Sequence, residues 1–187
     1  YLSGALTVNG TLAPGNPQGT LMVNNNVTMN AGSVYRVDAA GTTVGNANVY
    51  SNLVATQSVT LDNASRVLVN ASNHLLNVND GLKDILSAGH ALNINGAIGV
   101  VTNSLIYDFG IVGGGNTVDL QITQATTKVQ DAVAHAGNKR SLGAARVIDN
   151  AIVQNPSGAL AGVMTQGFTS GQETQLAHAV THRLPLL

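Results

Sequence analysis

Apolar residues two positions apart recur along the first 72 residues: Leu6 and Val8, Leu21 and Val23, Val27 and Met29, Tyr35 and Val37, Val59 and Leu61, Val67 and Val69. A period of two puts both members on one side of an extended chain, whereas a helix would place them on different faces. The intervening residues are mostly Asn, Gly, Ser and Pro, which form turns. The segment is dense in β-branched residues, Gly and Asn and has no capped amphipathic stripe, so it predicts many strands of three to five residues.

The clearest turn lies between Gly10 and Leu21. Pro14 and Pro17 fix φ and cannot donate to a sheet ladder, while Gly15 and Gly19 can take positive φ at little steric cost. Asn16 tolerates left-handed backbone and can bond locally. Pro14, Gly15, Asn16 and Gly19 therefore read as one corner between two short strands.

Short strands fit a sandwich, a barrel or a solenoid, and composition separates them. Aromatic residues make up only 3% of the chain and charged residues 9%, against a usual charged share of about 25%. A core without large aromatics must be laid down in thin layers of Val, Leu, Ile and Ala, and Asn, Thr and Ser must hydrate the surface. Stacked repeats meet both conditions, because successive layers bury each other's apolar face. The expected fold is mainly β: a right-handed parallel β-helix capped by a hairpin and followed by a helical C-terminal linker. A net charge of −1 gives no electrostatic reason to expect nucleic acid. The absence of Cys excludes disulfides, Cys zinc sites and thiol catalysis. No apolar run reaches the length of a membrane helix, and no signal peptide is visible. Opening on Tyr1, the chain is expected to be a fragment or a processed product.

The run Gly4-x-Leu6-x-Val8-x-Gly10-x-Leu12-Ala13-Pro14-Gly15-Asn16, continued by Gly19-Thr20-Leu21-x-Val23, Val27-Thr28-Met29 and Gly32-Ser33-x-Tyr35-x-Val37, resembles the membrane-proximal passenger repeat of autotransporters. These are type V secreted proteins of Gram-negative bacteria. Ser51-Asn52-Leu53-Val54-Ala55 and Val59-Thr60-Leu61 resemble its next element. The chain departs from the family at two places: an Asp is usual near Asn52, and a Gly between the following strands.

Residues 73–123 are expected to close the stack. Asn79-Asp80 ahead of Gly81–Leu86 reads as one or two helical turns with Asp80 as N-cap. Leu105, Tyr107, Phe109 and Ile111 fall on one face of a strand, and Val118, Leu120 and Ile122 on one face of its partner. Gly113–Asn116 makes a four-residue turn between them. Ser104–Phe109 with Gly115–Leu120 resembles the autochaperone region that ends such passengers. The resemblance implies a stable unit that templates the folding of the layers before it.

After Thr123 the period changes. Val129, Ala132, Val133 and Ala136 have helical spacing and stop at Gly137. Ser141 can cap a second helix with Ala144, Val147, Ile148, Ala151 and Ile152 on one face, ending near Asn155-Pro156. Residues 158–168 and 172–184 read as two further helical segments. Ala144–Asp149 and Ala179–Leu187 resemble the helical linker and pre-barrel stretch of autotransporters. The chain thus divides into 1–72 (solenoid), 73–123 (autochaperone-like cap) and 124–187 (linker to a β-barrel translocator).

Catalytic and metal motifs are not found. Gly113–Asp119 fails the spacing of a calcium-binding nonapeptide, and His178 and His182, four apart, lack a third ligand nearby. Lys139-Arg140, between two helices, is a candidate processing site. The expectation is therefore no enzyme, no cofactor and no metal, with any catalytic activity upstream. By resemblance, the role is to support secretion, folding and surface display of an upstream passenger. The implied partners are the chain's own β-barrel translocator and the outer-membrane assembly machinery. The implied location is the bacterial cell surface and outer membrane, reached through the periplasm, with extracellular release as an option. A surface adhesin that binds host glycans or identical passengers is the first alternative. The second is a β-helical polysaccharide-degrading enzyme, which would need clustered carboxylates. Residues 1–72 carry only Arg36, Asp38, Asp62 and Arg66 as charged groups.

Overall fold

The computed structural model describes residues 1–15, 18–41, 49–71, 76, 80–104, 107–124, 129–135, 137 and 139–154. The chain passes in turn through three sheets and then begins again. The first circuit is β1 (Leu6–Val8), β2 (Thr11–Leu12) and β3 (Thr20–Val23). The second is β4 (Val27–Met29), β5 (Val34–Asp38) and β6 (Asn52–Ala55). The third is β7 (Val59–Leu61), β8 (Arg66–Asn70) and β9 (Gly81–Ala88), and β10 (Leu92–Ile94) and β11 (Gly99–Thr102) start a fourth. Each of β1 to β8 pairs in parallel with the strand three places later, giving sheets β1-β4-β7-β10 and β2-β5-β8-β11 and the run β3-β6-β9. The protein is mainly β with parallel sheets, an arrangement compatible with a β-solenoid.

Register keeps like above like. Val8, Met29, Leu61 and Ile94 form one column, and Leu12, Tyr35, Val67 and Val100 a second. Leu21, Leu53 and Leu86 form a third. A slip of one residue would turn a whole column outward, so burial fixes the register. Leu53, Val59 and Val69 are wholly buried, each worth about 1.5–3 kcal/mol relative to exposure. The parallel pairing runs through β10 and β11, well past residue 72, so the capping region shares its first strands with the stack.

Polar side chains form ladders at the corners. Asn30 donates to Asn9 (2.6 Å) and Asn95 to Asp62 (2.9 Å). Asn70 donates to Asp38, and Asn103 to Asn70. Asp38 also accepts from Arg36 at 2.7 Å. Both carboxylates of the first 72 residues are thus engaged in holding neighbouring circuits together.

Two equivalent four-residue corners separate β4 from β5 and β7 from β8. Ser33 N–H donates to Asn30 C=O, and Ser65 N–H to Asp62 C=O. The third residue of each corner has positive φ: Gly32 at 77° and Ala64 at 61°. That is the position of a type II turn at which Gly is favoured. Alanine there carries the left-handed penalty of about 1–2 kcal/mol, part of which glycine's larger unfolded-state entropy offsets. Ala64→Gly should therefore raise stability by about 0.5–1 kcal/mol in urea denaturation, and a loss would show that the corner is unstrained.

The Gly10–Leu21 corner behaves partly as expected. Gly15 has φ 86°, and a Cβ there would meet Gln18 C at 2.3 Å. Gly19 has no positive φ; it is small because its Cβ would meet Gly15 Cα at 2.9 Å. Pro14 is buried. Asn16 lies outside the described residues.

After the sheets come α1 (Val129–His135), a 3₁₀ turn (Lys139–Ser141) and α2 (Leu142–Gln154). Gly137 has φ 73° and its N–H donates to Ala134 C=O, ending α1 where the sequence predicts. Ser141 directly precedes α2 and is buried. The inner face of α2 matches the expected one at Ile148 and departs from it at Val147. Ala145 and Ile148 are wholly buried, whereas Val147 is 58% exposed. Asp149 decides this orientation: its two carboxylate oxygens accept from Val129 N–H (2.8 Å) and Gln130 N–H (3.0 Å), capping α1 from the neighbouring helix. Lys139 and Arg140 lie in the 3₁₀ turn, with Lys139 exposed. The segments 158–168 and 172–184, with His178 and His182, lie outside the described residues.

Candidate functional site

The stack changes character at its third sheet. A parallel fourth-circuit strand on β9 would continue the pattern. Instead β13 (Thr117–Gln124) pairs antiparallel with β9, and β12 (Tyr107–Val112) is displaced to the outside of β13, giving the order β12-β13-β9-β6-β3. The Gly113–Asn116 turn predicted from sequence joins the two strands, with positive φ at Gly113 and Gly115. β9 and β13 are eight residues long, longer than the strands of the first 72 residues.

Gly81–Leu86 is strand, not the helical turns that its spacing suggested. Leu82, Ile85 and Leu86 are all buried, at offsets of three and four that imitate a helix. The spacing comes from a bulge. Leu86 faces Val118 and Leu82 faces Leu120, so Lys83, Asp84 and Ile85 oppose Asp119 alone. Asp84 takes φ 51°, a conformation Asp adopts more readily than most residues. The bulge breaks the period of two, and three-residue spacing results.

A bulge leaves backbone groups without ladder partners, and at the exposed residues Lys83 and Asp84 these groups are partly open to solvent. Here three side chains from both neighbours supply them. Tyr50 Oη accepts from Lys83 N–H (3.2 Å) and donates to Lys83 C=O (2.9 Å). Asn52 Nδ2 donates to Asp84 C=O (2.9 Å). Asp119 Oδ1 accepts from Asp84 N–H (2.8 Å), while its Oδ2 pairs with Lys83 Nζ at 3.0 Å. The Lys83 side chain is 53% exposed, so this ion pair contributes only a few tenths of a kcal/mol. The bond to the backbone N–H, at about 1.5–3 kcal/mol, is the larger effect. Burial pushes the Tyr50 hydroxyl up from its usual range, outweighing the opposing Lys83 backbone bond. The phenol therefore stays a neutral donor and acceptor at ordinary pH.

The residues expected to form the cap divide into three groups. Tyr107, Phe109, Val118, Leu120 and Ile122 are buried and belong to the same core cluster as the stacked circuits. Ile111 is 37% exposed: its strand lies at the outer edge, where the inward face runs out. Leu105 lies outside the described residues. Tyr107 Oη accepts from Leu76 N–H at 3.2 Å, and burial raises its pKa. The core also takes in two tyrosines that the sequence did not mark as anchors. Tyr35 is wholly enclosed, donates to Ile85 C=O at 2.5 Å, and is pushed far above the usual phenol range by burial. Tyr50 binds the bulge.

Tyr35, Tyr50 and Asn52, all from the second circuit, therefore hold β9, while Asp119 holds it from the hairpin. Sequence carries one signal for this junction: Lys83-Asp84 interrupts an apolar run with residues poorly suited to strand. Its partners, at separations of more than 30 residues, carry none. Among the described residues no group of three His or acidic side chains could hold a metal ion.

No family model matches the chain, and no curated protein and no solved structure matches it.

Proposed function

We propose that this chain is the closing segment of a right-handed parallel β-solenoid of the autotransporter passenger type, displayed at a bacterial cell surface. Its hairpin templates the folding of the layers before it. Residues 124–187 are the helical linker to a β-barrel translocator, and the role is secretion and display rather than catalysis. The observation that carries this reading is the exchange at the third sheet. A parallel edge is replaced by an antiparallel hairpin whose Asp119 engages the bulge of β9. A local hairpin closes a short loop and can form before non-local parallel pairing, which carries a larger loop-closure cost. Once formed, β13 presents β9 in register, and Tyr35, Tyr50 and Asn52 then have fixed groups to bind. The sparsely charged, Asn- and Thr-rich composition supports a passive, extracellular role.

The test is pulse-labelled hydrogen exchange during refolding of the full chain. Amides of β9, β12 and β13 should gain protection before those of β1 to β5. Simultaneous protection, or the reverse order, would overturn the template role. Deleting 73–123 from the full-length secreted protein should reduce protease-resistant passenger at the cell surface; unchanged resistance would overturn the secretion role.

A further inference from the structure

The residues that follow the Val8, Met29, Leu61 and Ile94 column are Asn9, Asn30, Asp62 and Asn95, stacked at one corner of successive circuits. In the two inner circuits the next residue is Ala31 or Asn63. At the two ends it is glycine, Gly10 after Asn9 and Gly96 after Asn95, and these are the chain's two Asn-Gly pairs. All four residues are exposed. Asparagine is a thermolabile residue. A following glycine makes it most so, because without a Cβ the glycine nitrogen can approach the side-chain carbonyl unhindered.

The corner imposes Gly96: its φ is 90°, and a Cβ there would meet Asn63 Oδ1 at 2.6 Å. Gly10 has no positive φ and open space where its Cβ would stand. The neighbours decide what loss of each amide does. Asn9 is an acceptor, taking a bond from Asn30 Nδ2 at its Oδ1, and an aspartate keeps that oxygen. Asn95 is a donor, its Nδ2 bonded to Asp62 Oδ1 at 2.9 Å. An aspartate at position 95 removes the donor and sets two like charges in contact. The ion pairs among the described residues are Arg36–Asp38 and Lys83–Asp119, so no cation pairs with Asp62 to offset the repulsion. β10 is an edge strand held by β7 alone, and edges open at low cost.

We propose that Asn95-Gly96 is a self-modifying site whose deamidation loosens β10 from Asp62 and β7. Gly96 N attacks Asn95 Cγ; the new C–N bond closes a cyclic imide, the Cγ–Nδ2 bond breaks, and ammonia leaves with the Gly96 proton. Water then opens the imide at either carbonyl. One product is aspartate with the original main chain. The other is isoaspartate, whose main chain runs through Cβ and Cγ and is lengthened at the corner. The site is a slow, irreversible release at the fourth circuit, and it does not rest on the secretion reading.

Peptide mapping by tandem mass spectrometry of the full chain, aged at physiological temperature and mildly alkaline pH, tests the chemistry. Asn95 should convert to a mixture of aspartate and isoaspartate while Asn30 stays intact; an Asn95 that persists as amide overturns the proposal. Native-state hydrogen exchange tests the consequence. Asn95→Asp should speed exchange of the β10 amides at least tenfold, and Asn95→Ala, which removes the donor without adding charge, should have a smaller effect. Asp62→Asn added to Asn95→Asp restores a donor–acceptor pair and should return exchange to near the parent rate. Asn9→Asp should leave it unchanged. Parent-like exchange in Asn95→Asp, or no rescue by Asp62→Asn, overturns the assigned role of Asp62.

Discussion

Replacing Asp119 with alanine is expected to lower the unfolding free energy by about 2–3 kcal/mol. The substitution removes the acceptor for Asp84 N–H and the partner of Lys83 Nζ, leaving a bulge amide in left-handed backbone without a bond. The ion pair adds little, because Lys83 reaches solvent. Asp119→Asn retains a carbonyl oxygen at the same place and should lose about half as much. Urea denaturation of the full chain measures both. If Asp119→Ala costs less than about 0.5 kcal/mol, the carboxylate is not what joins hairpin to stack. The template reading adds a kinetic expectation: the loss should appear mainly as slower refolding rather than faster unfolding, because a contact formed early is already present in the transition state.

Leu120→Ala should have the largest effect of any single truncation in the hairpin, about 2–5 kcal/mol. Leu120 is wholly buried and stands opposite Leu82 on one side and Ile111 on the other. Removing its side chain opens a void where β9, β13 and the stacked circuits meet. Ile111→Ala, a truncation two strands from β9, should stay within about 0.5 kcal/mol because its side chain is already partly in water. Thermal or chemical denaturation of the pair separates two residues that the alternating pattern treats alike. Equal losses would mean that Ile111 is covered in solution, and equal small losses would mean that the hairpin is not part of the cooperative core.

The difference between those residues shows where one-dimensional patterning stops. Alternation identifies the inward side of a strand, and it did so correctly for Tyr107, Phe109, Val118, Leu120 and Ile122. It does not say whether a layer lies above that side. Ile111 faces inward at the edge of the last sheet and remains exposed. Val147 is the helical counterpart: its spacing fits the apolar face of α2, but Asp149 must reach the first amides of α1, and that bond sets which face turns in.

Local chemistry determined the short strands, the Gly113–Asn116 turn, the stop of α1 at Gly137 and the corner at Gly15. Each rests on steric or hydrogen-bonding preferences of residues adjacent in the chain. Period-two patterning and scarce charge also pointed to stacked layers, because such a composition buries surface efficiently only by repetition. Tertiary structure decided the rest. The bulge in β9, the antiparallel insertion of β13 and the engagement of Asp119 with Lys83 and Asp84 join residues more than 30 positions apart. Their energies depend on which backbone groups are left unpaired once the sheets have formed. A helix-like spacing at Leu82, Ile85 and Leu86 became a strand for that reason: the sheet supplied partners on both sides, and side chains from the second circuit and from the hairpin supplied the bonds that the extra residues lost.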